Sequence, residues 1–102
     1  MKHGKKMSEE KITKKLEITI SGRVQGVGFR YFVLQNAIEL GIKGYVRNTY
    51  NEKVEVVAVA EKSAMENFLL ELRKGPRMSI VENMEIVELA AASNYENFRI
   101  KQ

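Results

Sequence analysis

The chain has no aspartate, no cysteine and no tryptophan, one proline, and a single histidine, His3. Each absence closes off a class of chemistry. Without cysteine there is no disulfide framework and no thiolate to bind metal or act as a nucleophile, so nothing points to secretion and the expected compartment is the cytoplasm. Without aspartate, and with the one histidine near the N-terminus, Ser-His-Asp and Cys-His nucleophile systems are excluded, as are ordinary zinc sites. Magnesium loses its usual aspartate ligand, although glutamates and a substrate's own phosphate can hold it. No apolar run reaches the length of a signal-peptide core or a membrane span, so no membrane partner is expected. Any catalysis therefore runs on Arg, Lys, Asn, Glu, Tyr, Ser, Thr and backbone dipoles.

A length of 102 residues allows one domain with a modest core, and 44% hydrophobic with 29% charged residues is ordinary for a globular protein. The charge is uneven. Residues 1–15 hold six lysines against Glu9 and Glu10, a surplus of four that equals the formal net charge of +4 of the whole chain. The rest carries 11 cations and 11 glutamates. The reading is a flexible basic tail over 1–15 and one domain over 16–102. A neutral body argues against specific nucleic-acid binding, and the expected state is a monomer.

Alternation in Leu16-Glu17-Ile18-Thr19-Ile20 predicts a strand over Leu16–Ser21. Phe29, Phe32, Val33, Ala37 and Leu40 then recur at helical spacing, predicting a helix over Phe29–Leu40 with Gly41 as its stop. A second stripe, Tyr31, Leu34 and Ile38, faces solvent or the mouth of a site. Ile42–Asn48 and Lys53–Glu61 read as a hairpin turning at Thr49–Glu52, with Asn51 the best candidate for a positive φ. Ser63-x-x-Glu66 reads as a capping box opening a second helix, which Gly75-Pro76 ends. Arg77–Glu82 is looser; Asn83–Ala90 is a fourth strand, Ala91–Asn94 a turn, and Phe98 with Ile100 a short fifth strand. The order β-α-β-β-α-β implies an α+β fold: a ferredoxin-like sandwich with two helices on one face of a mostly antiparallel four- to five-stranded sheet.

The stretch joining the first strand to the first helix carries Gly22, Gly26 and Gly28. Glycines let a backbone curl until several N–H groups face one point, and a helix N-terminus adds unpaired donors and the positive end of its dipole. Arg30 lies in that helix's first turn, where the dipole disfavours a cation unless it faces an anion such as phosphate or sulfate. Glycine spacing alone leaves a plain structural turn as an equal alternative. It matches neither the dinucleotide fingerprint nor the Walker loop.

The full string Gly22-Arg23-Val24-Gln25-Gly26-Val27-Gly28-Phe29-Arg30 closely resembles the first signature of the acylphosphatase family. Gly44-Tyr45-Val46-Arg47-Asn48 resembles its second motif, one helix downstream, and Phe98-x-Ile100 fits near the C-terminus, so the likeness spans Leu16–Lys101. The resemblance implies hydrolysis of acyl phosphates to carboxylate and inorganic phosphate, with no metal, no other cofactor and no phosphoenzyme. It gives Arg30 the phosphoryl group and Asn48 the attacking water, with the backbone of Arg23, Val24, Gln25, Gly26 and Val27 around the anion. Members usually carry glycine where this chain has Glu52 and again where it has Ala60, which puts the turn's shape, and so the placing of Asn48, in question. Strand alternation points Arg47 away from Asn48. The chemistry suits these residues, because an acyl phosphate has a good leaving group and asks mainly for positioning and charge stabilisation.

Two rival readings come from other classes. Gly28-Phe29-Arg30-Tyr31-Phe32-Val33 faintly resembles the aromatic strand of ferredoxin-like RNA-binding modules, but its aromatics have helical spacing. The other is a non-catalytic anion-sensing or partner domain, since acylphosphatase-like modules also occur inside hydrogenase-maturation carbamoyltransferases, for whose remainder this chain is expected to have no room.

Overall fold

Alternation decides the first element: Leu16, Ile18 and Ile20 are buried, and the residues between them are not. A computed structural model describes residues 12–90 and 95–102. Its elements are β1 (Thr13–Arg23), α1 (Phe29–Leu40), β2 (Lys43–Asn48), β3 (Val54–Glu61), α2 (Lys62–Lys74), β4 (Ile80–Leu89) and β5 (Phe98–Ile100). The strands form one sheet in the order β4-β1-β3-β2-β5. β1 pairs antiparallel with β3 and β4, β2 pairs antiparallel with β3, and β5 joins β2 in parallel. Each helix thus connects two parallel strands with an antiparallel one inserted between them, which is the expected ferredoxin-like arrangement.

Both helices cover the same face. Phe29, Val33 and Ala37 of α1 and Met65, Phe68 and Leu72 of α2 meet Ile18, Ile20, Val46, Val54 and Val56 of the sheet in one core. Phe29 and Phe68 are the largest fully buried side chains. Truncating either to alanine costs about 3–5 kcal/mol by loss of transfer energy and a residual cavity. α1 has the predicted bounds and ends as expected at Gly41, whose φ is 71°.

Several boundaries differ from the sequence reading, for physical reasons. β1 begins at Thr13 rather than Leu16, because Thr13, Lys14 and Lys15 are recruited by ladder pairing to Glu61, Ala60 and Val59, which leaves no apolar trace. β1 also runs on to Arg23, so Gly22 belongs to the sheet and not to the loop. There the register against β4 slips by one residue, and a Cβ on Gly22 would stand 2.1 Å from the Ile80 carbonyl oxygen. Glycine at this position lets β4 approach, and β4 accordingly starts at Ile80, three residues earlier than alternation predicts. The Ser63-x-x-Glu66 capping box does not form. α2 starts at Lys62 with Glu61 in the capping position and no side-chain cap, since Glu61 is still paired to Thr13 and the Lys62 N–H donates to the Ile12 carbonyl. The predicted turn at Ala91–Asn94 lies outside the described residues.

The β2–β3 turn also differs. Glu52, not Asn51, takes the positive φ, at 65°. The Glu52 N–H donates to the Thr49 carbonyl, and the Lys53 N–H reaches Thr49 Oγ1, a tight turn followed by a left-handed residue. The Thr49 hydroxyl donates to Asn51 Oδ1, which occupies that side chain. A left-handed glutamate costs roughly 1–2 kcal/mol. Glu52→Gly should therefore stabilise the protein by about 0.5–1 kcal/mol after the added unfolded-state entropy, raising Tm by about 3–6 °C in calorimetry. An unchanged or lower Tm would show that the turn is unstrained.

Candidate active site

The loop Val24–Gly28 is short because its residues are consumed quickly. Val24 turns into the core, and Gly26 and Gly28 take φ values of 75° and 79°. A Cβ on either glycine would meet nothing within 4 Å, so the backbone here is open to a ligand rather than packed against protein. Gly28 caps α1 with no side-chain hydrogen bond, and the first turn of α1 holds no acidic residue. The positive end of the helix and its first N–H groups are left to an anion. Arg30 stands in that turn.

Asn48 arrives from a different element. β2 alternates, so Gly44 and Val46 face the helices and Asn48, two residues on, points the same way at the end of the strand. A cleft of about 320 Å³ opens there, and Val24, Gly26, Gly28, Arg30 and Asn48 all line it. Two residues 18 positions apart in sequence, Arg30 and Asn48, thus share one cavity wall. Asn48 Oδ1 is buried and accepts no hydrogen bond from any described residue. An unsatisfied buried carbonyl oxygen costs about 1–3 kcal/mol, so it marks a place where a donor is meant to arrive.

The remaining predicted residues, Arg23, Gln25 and Val27, are not among those that line this cleft. Arg23 is exposed and ends β1 opposite Ile80, and Val27 packs at the edge of the core. The Gln25 side chain turns from the cleft to the hairpin, where its amide donates to the carbonyls of Thr49 and Lys53. Three lining residues escaped the sequence reading: Phe29, Ile100 and Gln102. Ile100 and Gln102 come to the cleft because β5 lies beside β2, a pairing that no local pattern announces. Tyr31, 62% exposed, lies at the cleft, as its helical stripe suggested.

The other sheet face carries no part of this site. Arg47 points there, away from Asn48 as expected, and its Nε pairs with Glu55. A hydrogen bond shared with Glu55 pushes the Glu17 carboxyl above its ordinary value, with burial and the Glu55 charge adding to it and Arg47 opposing. Tyr45 stacks edge-on against Tyr95, with Lys101 4.1 Å above its ring. The aromatics of the RNA-module resemblance are in α1, not on a strand.

The sequence model of the acylphosphatase family matches residues 16–100. The chain belongs to that family. The acylphosphatase of Archaeoglobus fulgidus is 47% identical over 85 residues, covering 83% of this chain and 94% of its own length. That of Koribacter versatilis is 43% identical over 95 residues, covering 93% of this chain and 84% of its own. The crystal structure of the acylphosphatase from Bacillus subtilis superposes with a TM-score of 0.85 at 31% identity, covering 89% of this chain and all of the other. The chain is thus an enzyme of acylphosphatase type, with an acyl phosphate as its small-molecule substrate.

Proposed function

We propose that the cleft at the β1–α1 loop is where the carboxyl–phosphate bond is cut, with Arg30 holding the phosphoryl group and Asn48 aiming the water. The observation that carries this reading is the buried, unpartnered Asn48 Oδ1 in the same cleft as Arg30 and the open loop backbone. The main-chain N–H groups of Arg23, Val24, Gln25, Gly26 and Val27 surround the phosphoryl oxygens, and an inorganic phosphate or sulfate ion takes the same place. An amide carbonyl cannot remove a proton at neutral pH, but by accepting one O–H of the water it turns the water's own lone pair toward phosphorus. Water attacks in line, the P–O bond to the acyl group breaks, and the carboxylate departs without needing a general acid. The water's proton passes to a phosphoryl oxygen. The guanidinium and loop amides offset the charge on the equatorial oxygens.

Every role in this scheme is filled by a group of the protein or substrate, so we take the reaction to be metal-independent. We also take the enzyme to act in the cytoplasm without a nucleic-acid partner, since its cysteine-free composition suits a reducing compartment and a charge-balanced body gives nucleic acid no specific hold. The test is hydrolysis of benzoyl phosphate or acetyl phosphate with EDTA present. Full activity under chelation, with competitive inhibition by inorganic phosphate, is expected. Loss of turnover in EDTA, restored by magnesium, would overturn the metal-free scheme.

A further inference from the structure

The two halves of the site hang on different strands. The phosphate loop leaves the end of β1, whereas Asn48 ends β2, and β3 lies between these strands in the sheet. The backbone ladder ties them only through β3, where Val54 pairs with Ile20 of β1 and with Asn48 of β2, and it does not reach the loop Val24–Gly28 itself. The Gln25 side chain links the loop to the hairpin. Gln25 Nε2 donates to the Thr49 carbonyl at 3.0 Å and to the Lys53 carbonyl at 2.9 Å. Both amide hydrogens are thereby used, and the two acceptors fix which end of the amide faces the hairpin. The Lys53 carbonyl also receives the Thr49 N–H at 2.9 Å. Gln25 thus grips the closing pair of the hairpin one residue past Asn48.

We infer that Gln25 is a positioning residue, a strap that sets the distance between the phosphoryl-holding loop and the water-aiming Asn48. The inference rests on the roles proposed above for Arg30 and Asn48. Its physical basis is that reacting atoms must lie about 3–3.5 Å apart and in line, and that a displacement of about 1 Å costs roughly 100-fold in rate. The turn beyond the strap is closed by its own hydrogen bonds between Thr49 and Lys53, so a pull on Thr49 and Lys53 moves it, and Asn48 with it, as a unit. The loop's own hold on phosphate is made by backbone and Arg30, so it survives loss of the Gln25 side chain. The strap therefore governs turnover and leaves phosphate affinity alone.

The test compares wild type, Gln25→Met, Gln25→Glu, Asn48→Ala and the Gln25→Met/Asn48→Ala pair in the full chain, on benzoyl phosphate with EDTA, from pH 5 to 7.5. Gln25→Met keeps the length and loses both donors. We expect its kcat to fall about 10–100-fold, with the inhibition constant of inorganic phosphate within about threefold of wild type. The pair should be no slower than Asn48→Ala alone, because Gln25 acts through Asn48. Gln25→Glu sets a carboxylate against two carbonyls near neutral pH, and on protonation it regains one O–H donor. Its kcat relative to wild type should rise at least about fivefold from pH 7.5 to pH 5. A role in hairpin stability alone would give no such profile.

A wild-type kcat in Gln25→Met overturns the strap, as does a flat Gln25→Glu ratio across pH. Equal losses in kcat and phosphate affinity also overturn it, by showing that the Gln25 side chain shapes the hold on phosphate and not the placing of Asn48. If Gln25→Met does not melt cooperatively, the Gln25→Glu ratio decides alone. Normal turnover in Asn48→Ala would instead bring down the underlying reading, whereas an inactive Asn48→Ala beside an active Gln25→Met removes only the strap.

Discussion

Asn48→Ala should lower kcat by about 10²–10³-fold, measured on benzoyl phosphate at saturation. The side chain is not needed for folding in the way a core residue is. It ends β2, its backbone pairs with Val54, and its Oδ1 has no partner among the described residues. The side chain faces an open cleft and packs no part of the core, so stability should change by no more than about 0.5 kcal/mol. A large loss of turnover with no loss of Tm would be the mark of a group kept for chemistry. Asn48→Asp would not be a conservative repair. A carboxylate beside an incoming phosphoryl group repels it, and that variant should lose substrate affinity as well.

Arg30→Ala should be more damaging still, with kcat/KM falling by at least about 10³-fold and inorganic phosphate inhibiting roughly 100-fold more weakly. Arg30 lies in the first turn of a helix, beside the positive end of its dipole, with no acidic residue in that turn. It is therefore slightly unfavourable in the empty protein and well placed once an anion sits between guanidinium and loop. The same argument separates charge from geometry. Arg30→Lys keeps the positive charge but loses the planar fork, and it should recover only a small part of the phosphate affinity. Recovery to near wild-type values would mean that Arg30 works as a point charge and not as a two-pronged ligand.

Much of this was legible in the sequence because local pattern and global fold agree. The switch from alternating Leu16, Ile18 and Ile20 to the helical stripe of Phe29, Val33 and Ala37 places the loop without any tertiary knowledge. The bounds of α1 followed from that stripe and from Gly41. What was not legible depends on pairing between distant segments. Thr13–Lys15 and Ile80–Glu82 have no apolar rhythm, and they are strands only because β1 and its partners hold them there. Gly22 looked like a third loop glycine, yet it serves the approach of Ile80 to β1. Ser63 looked like a cap, but the chain passes from ladder to helix before reaching it. Asn51 was the better left-handed residue by propensity and lost that place to Glu52, because the closure of the turn by Thr49 sets which position must turn over.

The site itself divides along the same line. Arg30 and Asn48 could be named from two short motifs, and the fold brings both to one cleft. Ile100 and Gln102 could not, since their presence depends on β5 adding in parallel beside β2. The use of the Gln25 side chain was hidden for a similar reason: its acceptors at Thr49 and Lys53 lie 24 and 28 residues away.

The account separates holding the phosphoryl group from delivering the water, and one titration tests that separation most directly. Inorganic phosphate should bind Asn48→Ala with a dissociation constant within about threefold of wild type by calorimetry, because that carboxamide touches the water and not the anion. If phosphate binding falls in Asn48→Ala as far as it does in Arg30→Ala, both side chains are holding the same anion, and the division of labour in this cleft is wrong.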